Sequence, residues 1–315
     1  MTAFTGEQPP GTLGLLLRSA ASALGKPVHA VRVGKDLIGS SPAIAGALVG
    51  PLASLLPGRD RDGEVVLPGA RLRAPKTPFN ASVTPHRRWA FTDLPLEEVK
   101  AIRQGTGASV NDVVMALCAG ALRRWLQDHE ALPDEQLVAA VPVSVRTEEQ
   151  KGQLGNQVSV MIAGLPTNLD TPAERLGAVH KAMLVAKEQH GAIPATLLAD
   201  VSEFTMPILA NQAWRLSARL RLLERVNPYN VIISNVPGPN VPLYLGGAEM
   251  QAYYPVSAIL DGQGLNITVM SYRGTMFFGL VACRELMPDL DALAGYLREE
   301  LDEMLAAAEA VTSHS

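Results

Sequence analysis

Among these 315 residues, the groups that could move a proton, attack a carbonyl or hold a metal are six histidines, two cysteines and a scatter of carboxylates. The histidines are His29, His86, His129, His180, His190 and His314, and no two are adjacent. Cys118 and Cys283 stand alone, outside any CxxC, so their spacing fits neither a zinc cluster nor a redox motif. Asp261 could act as an acid, but Asp261-Gly262-Gln263-Gly264 is first of all a turn. Its two glycines also lack the spacing and following helix of a dinucleotide fingerprint. Arg87 and Arg88 follow His86, and guanidinium groups grip phosphate in a bidentate fork. The same trio could equally pair with carboxylates. Two further blocks draw notice: Asn111-Asp112, and Ser234-Asn235-Val236-Pro237-Gly238.

The elements that must position these groups follow from pattern. Trp89, Phe91 and Leu94 start an extended run, and a helix covers about 96–104, with Pro95 before it and Gly105 after. Ser109-Val110-Asn111-Asp112 has the form of a capping box and opens a helix whose apolar face is Val113, Leu117, Ala121 and Leu122. That helix ends near His129, where a helix C-terminus favours positive charge. Strands are expected at 137–145 and 156–163. Thr171-Pro172-Ala173-Glu174 is a second capping box, with its helix running to about His190 and Gly191 as the stop. His180 falls mid-helix beside Lys181 and should be exposed or half-buried. Further helix fills 196–226, divided at Pro207; a strand covers 229–234; a hairpin turns at Arg273-Gly274; a last helix follows Pro288.

Residues 1–88 read differently. A helical stripe at 13–24, an apolar but proline- and glycine-broken stretch at 37–56 and a loop at 57–79 make a helical, loop-rich linker or crossover rather than a domain. The 37–56 stretch has too many breakers for a spanning helix, which wants about 20 mostly apolar residues, though contact with a membrane interface suits it. Residues 89–315 are expected to form one α/β (α+β) domain, a two-layer sandwich with a mixed, largely antiparallel sheet.

Composition narrows the function. Hydrophobic residues make up 47% and charged residues 18%, a globular balance. A net charge of -4 gives no basic face for nucleic acid. The sequons Asn80-Ala81-Ser82 and Asn266-Ile267-Thr268 carry no weight without a secretory leader, and the first ten residues do not read as one. A cytoplasmic setting, with peripheral attachment to a membrane or lipid body, is expected.

Four blocks in order, SVNDVVMALCAGALRRWL at 109–126, LGNQVSVMIAGLP at 154–166, NVIISNVPGP at 230–239 and GLNITVMSYRGTMFFGLVAC at 264–283, resemble the second half of bacterial wax ester synthase/diacylglycerol acyltransferases. PKTPFNASVTPHRRWAF at 75–91 resembles the crossover joining the family's two halves. The resemblance implies a chloramphenicol-acetyltransferase-like lobe forming one wall of a tunnel. Acyl-CoA would enter it as a substrate, with no bound cofactor or metal, and a diacylglycerol or hydrophobic alcohol would accept the acyl group. The family's HHxxxDG signature, whose second histidine serves as general base, belongs to the other lobe. None of the six histidines here has an aspartate four positions on, so no catalytic residue is assigned to this stretch. The base is expected from a first lobe on a separate chain or missing from this sequence. The alternative is a catalytically silent lipid-binding or protein-interaction module of the same fold.

Within that frame, Asn111 and Asp112 are candidates for the tunnel wall, or simply for the helix cap. Ser234, Asn235, Pro237 and Gly238 are candidates for the lobe interface or CoA entrance, or simply a strand end and stiff turn. Arg87 and Arg88 are the candidate CoA phosphate contacts.

Overall fold

A computed structural model describes residues 74–104, 106–144, 158–191 and 228–312. The expected helices at 13–24, within 37–56 and at 196–226 lie outside the described residues, as do His29 and His314 and the side chain of His190.

Strand β1 (Arg87–Pro95) alternates exposed and buried residues, as a strand with one buried face must. Helix α1 (Leu96–Gln104) buries Val99 and Ile102 and carries Glu97 and Glu98 in its first turn, where the helix dipole favours negative charge. Helix α2 (Val110–Asp128) is closed by the full capping box at Ser109 and Asp112 and is almost wholly buried from Asp112 to Leu122. Strands β2 (Leu137–Ser144) and β3 (Val158–Leu165) form an antiparallel pair. Helix α3 (Pro172–Gly191) follows the second box, in which Thr171 and Glu174 bond reciprocally. Then come β4 (Val231–Val236), a short hairpin β5 (Tyr244–Leu245) and β6 (Ala248–Glu249), the long hairpin β7 (Leu265–Tyr272) and β8 (Thr275–Cys283), and α4 (Leu290–Thr312).

Six strands make one mixed sheet in the order β1-β8-β7-β4-β2-β3. The β4–β7 and β2–β4 contacts are parallel; the others are antiparallel. The helices cover one face. Leu137, Ala139 and Val141 of β2, Val231 and Ile233 of β4, and Leu265, Ile267 and Val269 of β7 point into a single core with α2, α3 and α4. The period of two along each strand and the helical stripe on each helix therefore meet in one apolar layer. This is the expected α/β fold with a mixed sheet.

A buried ion pair pins three helices together. Arg175 of α3 donates to Glu300 of α4 at 2.5 Å, and Gly120 of α2 lies so close that a Cβ there would sit 2.0 Å from the Glu300 carboxyl carbon. Burial raises the Glu300 pKa despite the arginine, so desolvation outweighs attraction at this pair.

The 74–86 crossover sends Phe79 into the same core, against Trp125, and is tied down by an asparagine knot. Asn230, fully buried, donates to the Pro75 carbonyl at 2.6 Å and to Asn80 Oδ1 at 2.7 Å, and accepts from the Val138 amide at 2.9 Å. Asn80 in turn donates to the Asn230 and Gly262 carbonyls at 2.9 and 2.8 Å. The chain around 255 lies flat on β8, where Gly279 leaves room: a Cβ there would meet the Pro255 carbonyl oxygen at 1.7 Å.

Differences from the sequence reading are local. Strand β4 starts and ends two residues later than expected, because Asn230 spends its side chain on β2 and the register with β7 extends to Val236 opposite Met270. The β5–β6 hairpin was not expected. Its signal is Gly246-Gly247, with φ of +58 and +87, a pair that supplies the left-handed backbone of a two-residue turn.

Candidate functional site

Two of the candidates, Asn111 and Asp112, stand where α2 begins. Ser109 is extended (φ -85, ψ 162), its hydroxyl accepts from the Asp112 amide at 3.2 Å, and its own amide donates to Asp112 Oδ2 at 2.8 Å. The same Oδ2 lies 2.9 Å from His180 Nδ1, on α3. Asp112 is thus buried with two partners on one oxygen, while its Oδ1 has none among the described residues. The cap reading of Asp112 holds geometrically, and the contact to His180 adds a tie between helices.

Asn111 turns instead toward the sheet. Asn235 Nδ2 donates to Asn111 Oδ1 at 3.4 Å, so two blocks 124 residues apart meet at the end of β4. Beyond it, Pro237 is exposed and Gly238 presses on the end of β7. The Gly238 amide donates to Ser271 Oγ at 3.1 Å, and a Cβ at Gly238 would stand 2.0 Å from the Ser271 carbonyl oxygen. Ser234 lies one register step before Asn235, opposite Thr268 of β7. Ser234, Asn235, Pro237 and Gly238 therefore lie at the β4 end, and Asn111 is tied to it directly.

Arg87 and Arg88 lie elsewhere, at the start of β1. Arg87 donates to the carbonyls of Thr84 and His86, and Arg88 pairs with Asp291 of α4 at 2.7 Å. Beside them, Glu285 accepts from Thr84 Oγ1 at 2.5 Å and contacts His86 Nδ1 at 2.7 Å. These hydrogen bonds hold the Glu285 carboxyl down at about 2. His129 stacks on Trp125 and reaches Asp289, so it serves the fold.

A cleft of about 660 Å³ opens at the α2 start. Lys100, Arg103 and Gln104 come from α1, Gly107 to Val110 and Asp112 from the loop and α2, and His180 and Lys187 from α3. Its lining is polar and basic. No sequence signal joins these residues: His180 is 68 positions from Asp112, and Lys187 is a further turn and more along α3.

Residues 16–114 match the wax ester synthase/diacylglycerol acyltransferase catalytic domain, and 154–305 match the C-terminal domain of the same proteins. A Mycobacterium tuberculosis protein named as a diacylglycerol O-acyltransferase is 40% identical over 271 residues, taking in 82% of this chain and 58% of that protein. The chain belongs to the wax ester synthase/diacylglycerol acyltransferase family. A second M. tuberculosis protein so named, tgs2, is 37% identical over 275 residues, 86% of this chain and 59% of that one. The chain thus spans somewhat over half the length of these relatives. The solved wax ester synthase/diacylglycerol acyltransferase of Marinobacter aquaeolei VT8 superposes with a TM-score of 0.64 at 31% identity, over 85% of this chain and 56% of that structure. The catalytic-domain match crosses position 88, running through β1 and α1 to the start of α2. Among the described residues, no helix is long and apolar enough to cross a membrane.

Proposed function

We propose that this chain is the second lobe of an acyl-CoA-dependent O-acyltransferase that forms triacylglycerol or wax esters. The observation that carries the reading is the family match on both sides of α2, with a Marinobacter relative sharing the fold across 85% of the chain. In the reaction, the acceptor hydroxyl attacks the thioester carbonyl. Its proton passes to a base, the carbonyl oxygen carries the developing negative charge, and the carbon–sulfur bond breaks to release CoA thiol and ester. No histidine of this sequence fits HHxxxDG, so the base is assigned to a first lobe. This lobe's part is to wall the tunnel, exclude water and position the acyl donor, with the Asn111–Asn235 contact fixing the wall where α2 meets β4. A lipid acceptor places the work at a membrane or lipid-body surface.

The test is ester formation from palmitoyl-CoA with dioleoylglycerol or hexadecanol. The chain alone should give none; the chain with a first lobe carrying HHxxxDG should turn over. Activity of the chain alone, abolished by His180→Ala, would place the base here instead and overturn the assignment.

A further inference from the structure

We propose that the cleft at the start of α2 binds the phosphate groups of coenzyme A, making Lys100, Arg103, Lys187 and His180 the recognition site for the donor's polar end. The inference rests on the acyl-CoA reading above and names a subsite for it.

Charge is the first ground. The arginines elsewhere on this surface are mostly neutralised within the chain: Arg88 by Asp291, Arg123 by Asp170, Arg124 by Glu299, Arg273 by Glu249. Arg103 and Lys187 line the cleft, are exposed, and have no ion pair among the described residues. Lys100 holds Glu97 in an exposed pair on its own helix, a weak contact that a phosphate can displace. The one carboxylate in the lining, Asp112, is buried beneath it and already engaged by Ser109 and His180.

Backbone geometry is the second. At the N-terminus of the 19-residue α2, the Asp112 and Val113 amides are taken by Ser109, but the Val110 and Asn111 amides have no partner among the described residues. Free amides at the positive end of a helix suit an anion. His180 lines the cleft as well; its Nδ1 is spent on Asp112, and its Nε2 has no partner among the described residues.

Size and polarity select the ligand. The cleft's volume of about 660 Å³ is far more than one phosphate needs. Its cations favour an anion, and a diphosphate with a third phosphate on its ribose offers them several charges. Arg103 and Lys187, unlike Arg88, have no ion pair among the described residues.

Titration calorimetry on the whole chain tests this with CoA, dephospho-CoA, pantetheine and inorganic phosphate. Arg103→Gln and Lys187→Gln should each weaken CoA roughly tenfold, as loss of a charge-assisted contact does. Added salt should weaken wild-type binding, and Arg124→Gln, outside the cleft and paired with Glu299, should change little. Both substituted side chains are exposed, so melting curves should match wild type. Wild-type affinity in both cleft variants, no CoA binding by the wild-type chain, or binding of inorganic phosphate without CoA would each overturn the proposal. Failure of the acyltransferase reading is separate: it is read as absent ester formation by the wild-type two-lobe assembly. Full turnover there with an unchanged KM for acyl-CoA in both variants would sink the cleft alone.

Discussion

Asp112 closes two contacts of different origin with one oxygen. The Ser109 amide reaches it because a capping box folds back over three residues; His180 reaches it because α3 lies beside α2. Losing a cap residue costs about 1 kcal/mol, and leaving a buried polar partner unmet costs about as much again. Asp112→Ala should therefore lower unfolding free energy by about 2 kcal/mol in urea titrations, and Asp112→Asn should retain part of it. A loss of only a few tenths in the alanine variant would mean that neither contact matters to stability. Cys118, in the same helix, is buried and its thiol is pushed up to about 12, so it should resist alkylation in the folded protein. Rapid labelling by iodoacetamide under native conditions would contradict that.

The elements are held in place by contacts no single element contains. The 74–86 crossover has little secondary structure of its own, yet the Asn80–Asn230 knot fixes it to the starts of β2 and β4. Replacing Asn230 by alanine strands the Val138 amide and the Pro75 carbonyl, each worth about 1–3 kcal/mol when buried and unmet. Asn230→Ala should cost roughly 3 kcal/mol and expose the crossover to limited proteolysis before the sheet unfolds. Uniform cleavage resistance in that variant would show that the crossover is held by its packing instead.

Across the whole molecule, two carboxylates pull stability in opposite directions with pH. Glu285 has its pKa lowered from 4.5 to about 2, so its contribution is present above 4.5 and is lost as pH falls toward 2. Glu300 is raised, so what it contributes is present below 4.5 and is lost as pH rises through its folded value. Glu285→Gln should flatten the fall in Tm between about pH 4.5 and 2; an unchanged acid limb would show that the Thr84 and His86 contacts do not survive in solution.

The amino-acid sequence by itself determined what neighbours along the chain decide. Both capping boxes, the proline-led starts, the Arg273-Gly274 turn and the strand and helix periodicities sit where their spacing puts them, because each depends on hydrogen bonds or side-chain faces within a few residues. The four ordered blocks also carried the family. Tertiary structure alone decided which groups meet: Asn111 with Asn235, His180 with Asp112, and the cations of α1 and α3 around one cleft. Those encounters depend on the sheet order and on which helix faces share the core, and a side chain 68 or 124 positions away leaves no mark on local spacing.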